Sequence, residues 1–158
     1  FKFIGPKMSD TNALIGGEES GGYAFRGHIP ERDGILSGLL ILEYLAISRK
    51  SVSSLISEIF NIVGPHSYER RDIQFDLKEK NALVAKLNSC ADQTHIGGQE
   101  ILVCEQVDGI KLVLSDGWIA SRFSGTEPLL RIYCESTSDE QVTYLLDTMQ
   151  DYLGVNNV

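Results

Sequence analysis

Residues 101–135 read ILVCEQVDGIKLVLSDGWIASRFSGTEPLLRIYCE, and the rhythm of this stretch decides the fold of the second half of the chain. Four runs, Ile101 to Val107, Ile110 to Leu114, Trp118 to Phe123 and Leu129 to Glu135, have the length and residue types of strands and are parted by turn residues. Asp108-Gly109 is a strong hairpin signal, because a tight two-residue turn needs positive φ that Asp and Gly tolerate. Ser115-Asp116-Gly117 marks a second turn, and Ser124 to Pro128 separates the third strand from the fourth. Side chains alternate along a strand, so Leu130, Ile132 and Cys134 point one way and Arg131, Tyr133 and Glu135 the other. Such a sheet has an apolar side that must be covered and a polar side free for chemistry.

The cover is legible on either side of these strands. Downstream, Ser138 and Gln141 form an S-x-x-Q capping box, Val142, Leu145, Leu146, Met149 and Leu153 keep helical spacing, and Gly154 ends the helix. Upstream, an extended Tyr68 to Phe75 leads into a helix capped by Asp76, with Leu83, Val84 and Leu87 toward the core, while residues 90–100, with Gly97-Gly98, read as a loop. Residues 66–158 are therefore expected to form a small α+β domain, a mostly antiparallel sheet with two helices on one face. Gly64-Pro65 is the expected boundary. Before it, Ser51 can cap a helix whose Val52, Leu55, Ile56, Ile59, Phe60 and Val63 share one face. A further helix starts at an Asp33 cap, and its Ile35, Leu36, Leu39, Leu40, Leu42, Leu45 and Ile47 cover so much of the circumference that burial on several sides is expected. The first segment reads as a short strand, Ala13 to Gly17, followed by a glycine-rich loop to about Arg32.

Composition narrows the function. With 14 Lys+Arg against 22 Asp+Glu the formal net charge is −8 over 158 residues, and the longest basic runs are the pairs Arg49-Lys50 and Arg70-Arg71, which argues against a nucleic-acid partner. The longest apolar stretch, Ile35 to Ile47, falls short of the roughly 20 residues a bilayer needs, so no membrane partner is expected. Cys90, Cys104 and Cys134 are widely spaced and read as reduced thiols of a cytoplasmic protein. His28, His66 and His95 lack any metal-ligand spacing, so no metal site is expected from these residues. A chain that opens on Phe1 looks like an excised piece.

Two clusters carry chemistry. Arg122-Phe123-Ser124-Gly125-Thr126-Glu127-Pro128 stands where one strand ends and the next begins. Two hydroxyls donate to oxyanions, Gly125 lets backbone N–H groups come close, and Arg122 offers a planar fork of charged donors. Arg131, on the polar face of the next strand, can close the cradle. The plainer alternative is a polar hairpin loop in which Arg122 pairs with Glu127. The second cluster, Gly16-Gly17-Glu18-Glu19-Ser20-Gly21-Gly22, matches no nucleotide or hydrolase fingerprint. It presents carboxylates and a hydroxyl on a backbone open to a ligand, which suits sugar hydroxyls; its plain alternative is a flexible acidic turn. His28, Glu31 and Arg32 follow, ahead of the Asp33 cap.

Together these motifs resemble the α-D-phosphohexomutase family of phosphoglucomutases and phosphomannomutases. Gly17-Glu18-Glu19-Ser20-Gly21 resembles the family's sugar-binding loop, Gly27 to Gly34 the segment after it, and Arg122-x-Ser124-Gly125-Thr126 with Arg131 its phosphate-binding loop. The resemblance implies an α+β chain in which residues 1–64 are the C-terminal part of the family's domain three, a truncated three-layer α/β/α unit, and residues 66–158 are domain four, a TATA-binding-protein-like sheet with two helices. It also implies roles: Glu18 and Ser20 on sugar hydroxyls, His28 and Arg32 lining the ligand site, and Arg122, Ser124, Gly125, Thr126 and Arg131 on the phosphate. The parent enzyme would be an isomerase that converts hexose 1-phosphate to 6-phosphate through a bisphosphorylated intermediate, with Mg2+ and a hexose 1,6-bisphosphate as cofactors. No serine loop of the T-A-S-H-N-P kind and no magnesium loop of the D-G-D-G-D-R kind occurs here, so the piece is expected to hold no catalytic, cofactor or metal residue and to be inactive alone. Its expected partners are a phosphorylated hexose, the enzyme's N-terminal domains and, through apolar helices deprived of cover, a second copy of itself. The alternative function is a non-catalytic phosphosugar-binding module. The Glu18-Glu19-Ser20 and His28 to Gly34 segments look closer to phosphoglucomutase-like members than to the glucosamine type.

Overall fold

The structure is a computed structural model that describes residues 1–155. The chain divides into two compact units, Phe1–Glu58 and Ile59–Val158, and the division falls inside a helix.

The first unit opens with helix α1 (Ile4–Thr11), which the sequence reading did not anticipate. Pro6 is tolerated there because it lies in the first turn, where its missing N–H would have no partner anyway, and Asn12 closes the helix in the left-handed conformation at φ 49°. Strands β1 (Ile15–Gly17) and β2 (Tyr23–Phe25) form a small antiparallel ribbon in register Gly16↔Ala24, so part of the expected glycine-rich loop is a paired strand. Helix α1 lies directly on this ribbon, since a Cβ on Gly16 would collide with Met8 Sδ and stand 2.6 Å from Ile4 Cγ2. Met8 and Ala24 are the buried apolar side chains of this unit.

Helix α2 (Gly34–Ser48) starts where the Asp33 side chain accepts from Leu36 N, as its sequence predicts. Helix α3 (Val52–Val63) follows, its first turn tied by a Ser54 N to Ser51 Oγ bond. The expectation that α2 is buried on several sides is not met: no residue of α2 or α3 is buried, and Ile35 is 80% and Ile47 74% exposed. Strand β2 of the small ribbon abuts α2, and most of the helix's apolar surface stays open.

The second unit holds the main core. Strands β3 (Ser67–Gln74), β6 (Val103–Glu105), β7 (Ile110–Val113), β8 (Gly117–Phe123) and β9 (Leu129–Ser136) form one antiparallel sheet in the order β3-β9-β8-β7-β6. Between β3 and β6 run a 3-10 turn (Leu77–Glu79) capped by Asp76, helix α4 (Lys80–Ser89), a second 3-10 turn (Cys90–Asp92), and a two-residue ribbon, β4 (His95–Ile96) with β5 (Gln99–Glu100), inside the expected loop. Helix α5 (Asp139–Leu153) ends the described chain, capped by Ser138 and closed by Gly154.

The register separates the two faces. One carries Ile73, Leu112, Ile119, Leu130, Ile132 and Cys134, all packed with Leu83 and Leu87 of α4 and Val142, Leu145, Leu146, Met149 and Leu153 of α5. Burying each such aliphatic side chain contributes about 1.5–3 kcal/mol over leaving it in water. Arg71 lies on this face at the sheet edge and ties α5 to β3, its Nη1 donating to Asp147 and Gln150 and its Nε to Glu69 at 3.0 Å. The opposite face carries Arg70, Asp72, Arg122, Arg131, Tyr133 and Glu135, while α4 and α5 pack on the first.

Candidate functional site

The phosphate-binding candidates sit at one end of the polar face. Arg122 on β8 stands directly opposite Arg131 on β9. Side chains opposite one another on adjacent antiparallel strands have Cβ atoms about 5 Å apart, and like charges there repel. The sheet answers with acceptors. Arg122 Nε donates to the Tyr133 hydroxyl at 3.1 Å and Nη1 to Asp108 Oδ2 at 2.9 Å. The Tyr133 bond, and after it the Asp108 carboxylate, push the guanidinium's pKa up against partial burial. Arg131 is held more loosely: its Nε is 3.7 Å from Asp72 Oδ2 and its Nη2 4.0 Å from Glu127 Oε2, and the buried Nε has no hydrogen-bond partner. Arg122 thus does not pair with Glu127; Arg131 approaches it.

The loop between these arginines is a continuation of the hairpin. Ser124 N donates to Leu129 O and Leu129 N to Glu127 O, both at 2.8 Å. Within the loop Thr126 N donates to Ser124 Oγ at 3.4 Å. The N–H groups of Gly125 and Glu127 enter none of these bonds. Gly125 has no positive φ, and a Cβ built there meets nothing within 4 Å, so the folded chain itself makes no demand for glycine at this position.

The sugar-site candidates are gathered in the first unit. The loop closes on itself through Glu18 N to Gly22 O (2.9 Å) and Gly21 N to Glu18 O (3.0 Å), with Gly21 at φ 88°, a conformation that other residues rarely adopt. Arg32 lies over Gly22, where a Cβ would stand 2.5 Å from its Cδ, and reaches Glu18 Oε2 at 3.3 Å. His28 Nε2 is 2.9 Å from Asp33 Oδ2, which fixes the imidazole at the start of α2. Asp33 is held below the usual range first by the Leu36 N–H and then by His28. The structure therefore joins Glu18 to Arg32 and His28 to Asp33; Ser20 is exposed at the tip of its loop. The residues not foreseen are Asp108, read only as a turn residue, and Tyr133, read only as a member of the polar face. A two-residue hairpin signal at Asp108-Gly109 does not announce a bond to a side chain 14 positions later.

Among the described residues no group of three or more His, Cys, Asp or Glu side chains could hold a metal ion, and no helix is long and apolar enough to cross a membrane. Cys90, Cys104 and Cys134 are free thiols.

With the geometry in hand, likeness to known proteins gives the family. Residues 1–63 match the family described as phosphoglucomutase/phosphomannomutase, alpha/beta/alpha domain III, and residues 73–151 match its C-terminal domain. A phosphoglucomutase/phosphomannomutase of Thermococcus kodakarensis is 35% identical over 89% of this chain and 28% of its own length. A phosphoglucosamine mutase of Methanocaldococcus jannaschii is 32% identical over 91% of this chain and 30% of its own. A crystal structure of a phosphoglucomutase/phosphomannomutase family protein from Burkholderia thailandensis superposes with a TM-score of 0.66 at 25% identity, covering 97% of this chain and 31% of that one. The chain spans about three tenths of the length of these relatives, and it belongs to the phosphoglucomutase/phosphomannomutase family, matching that family's domain III and C-terminal domain.

Proposed function

We propose that this chain is the phosphosugar-recognition part of a cytoplasmic phosphohexomutase, an isomerase that interconverts hexose 1-phosphate and 6-phosphate through a bisphosphorylated intermediate. The observation that carries the reading is the pair Arg122 and Arg131, two guanidinia face to face across β8 and β9 beside a hydroxyl-bearing loop with open backbone N–H groups. Placing two cations opposite one another costs stability, and an oxyanion bridging them removes that cost. Charge-assisted bonds of this kind are roughly twice as strong as neutral ones.

In this reading Arg122, Ser124, Thr126, Arg131 and the Gly125 backbone hold the phosphate, and Glu18, Ser20, His28 and Arg32 address the sugar hydroxyls. A carboxylate, a hydroxyl and an imidazole accept and donate, so they serve a hexose presented from either end, as a reaction that turns its intermediate around requires. This chain binds and orients; much of the work in phosphoryl transfer is positioning and electrostatics. The phosphoryl-carrying serine, Mg2+ and the hexose 1,6-bisphosphate act through parts of the enzyme that this sequence does not carry, and the chain by itself is inactive. Calorimetric titration with glucose 1-phosphate, with unphosphorylated glucose as control, tests this. Saturable binding of the phosphate ester alone, lost in Arg122→Ala, is expected. Equal heats for both sugars, or binding unchanged in Arg122→Ala, overturn it.

A further inference from the structure

Arg122 is pinned from both sides by residues that no loop motif includes. Tyr133, on β9 and nearly fully buried, takes the Nε hydrogen at 3.1 Å, and its ring centroid lies 5.8 Å from Arg122 Cζ. Asp108 takes an Nη1 hydrogen at 2.9 Å from the turn between β6 and β7. That turn is pressed onto the strand that carries Arg122. Gly109 has φ 83°, and a Cβ there would collide with the Ser121 carbonyl oxygen and stand 2.7 Å from Arg122 Cβ. The Asp108-Gly109 hairpin therefore does more than reverse the chain: glycine lets the turn touch β8, and the contact delivers the Asp108 carboxylate to the guanidinium. Neither bond uses Nη2.

We propose that Tyr133 and Asp108 are positioning residues for Arg122, holding its guanidinium so that the Nη2 amino group is presented, already ordered, to a phosphate oxyanion. This rests on the phosphate-clamp reading above. An arginine on a four-torsion stem loses rotamer freedom when a ligand immobilises it, and a stem already pinned loses less. Tyr133 is the neutral hook and contributes no repulsion. Asp108 is a charged one, and its proximity to the anion is offset by the order it imposes.

The test titrates the full chain with inorganic phosphate while following the Arg122 Nε–H resonance. Tyr133→Phe keeps the ring and removes only the acceptor; its Kd is expected to rise about two- to twelve-fold, with the Nε–H signal of the free protein shifted and broadened. Asp108→Asn and Asp108→Ala both remove the charge, but only Asn keeps an acceptor, so Asn is expected to bind about two- to twelve-fold more tightly than Ala. A purely structural role of the turn would lower the stability of the Ala variant but leave the Arg122 Nε–H signal of the folded protein sharp in both, whereas positioning predicts a signal broadened in Ala and kept in Asn. If Tyr133→Phe binds as the wild type does and the two Asp108 variants bind alike, while Arg122→Ala abolishes binding, the clamp stands and the positioning role is overturned. If Arg122→Ala itself leaves Kd unchanged, the clamp reading falls and this inference with it. Should Tyr133→Phe fail to fold, the Asp108 pair, on an exposed turn, decides alone.

Discussion

Two glycines 16 positions apart should respond to alanine in opposite ways. At Gly125 the backbone has no positive φ and a Cβ meets nothing within 4 Å, so alanine fits without strain. It also reduces the freedom of the unfolded chain, which raises stability by about 0.4–1 kcal/mol. At Gly109 the φ of 83° costs alanine about 1–2 kcal/mol, and the overlap with the Ser121 carbonyl and with Arg122 adds about 1–3 kcal/mol as the turn is pushed off β8. Gly109→Ala should therefore lose about 2–5 kcal/mol, and at 4–8 °C per kcal/mol for a unit of this size its melting temperature should fall by about 10 °C or more. Binding runs the other way at Gly125. A methyl in the cradle that keeps one N–H from the phosphate removes a charge-assisted bond of about 1.5–3 kcal/mol, a loss of about 10- to 150-fold in affinity. Urea denaturation gives the stabilities, and titration with glucose 1-phosphate the affinities. Gly125→Ala binding as tightly as the wild type, or Gly109→Ala being as stable as the wild type within about 0.5 kcal/mol, contradicts these expectations.

Three further outcomes follow from the core and the helices. Ser121 Oγ is fully buried with no hydrogen-bond partner, so Ser121→Ala should be neutral or up to about 1 kcal/mol more stable; a loss above 1 kcal/mol in denaturant titration would show that the hydroxyl is satisfied. Burial pushes the Cys90 thiol up to about 11 and the Cys134 thiol up to about 12, from 9.0 for an exposed thiol. The unfolded thiols ionise first, so their contribution is intact below pH 9 and is lost as pH rises toward 11 and 12, at about 1.4 kcal/mol per thiol per pH unit; a flat stability profile from pH 8.5 to 10.5 counts against it. Helices α2 and α3 leave Ile35, Leu39, Leu42, Ile47, Ile59 and Ile62 more than half exposed, and this chain is expected to self-associate through them; sedimentation as a clean monomer at high concentration contradicts that.

Much of the fold was legible because it is specified locally. The Asp33 and Ser138 caps, the Gly154 stop and the helical spacing of Val142 to Leu153 are each read within one or two turns of chain, and each stands where the residues place it. The alternation that sends Leu130, Ile132 and Cys134 inward fixed the faces of β9. Helix α1 was hidden because Gly5-Pro6 reads as a breaker, although Ile4 and Met8 at i, i+4 and Asn12 at the end were its signals. Strand β2 was hidden among glycines, and three residues are too few for a period to show. The burial expected of α2 failed for another reason: an all-round apolar helix announces that cover is needed without stating which segment provides it. At the candidate site, Arg122 with Arg131 was readable from alternation. Its anchoring by Asp108 and Tyr133 was not, because it depends on how three strands fall into register, information spread over residues 105–135.

We propose that the loop from Ser124 to Glu127, with Arg122, grips the phosphate of a phosphosugar. The most direct measurement is a titration of the isotope-labelled chain with glucose 1-phosphate, following the backbone amide resonances of Ser124 to Glu127 in the wild type and in Arg122→Ala. Saturable shifts concentrated in that loop and absent from the variant are expected. Shifts that fail to appear at millimolar ligand, or that persist unchanged without the Arg122 guanidinium, would contradict it.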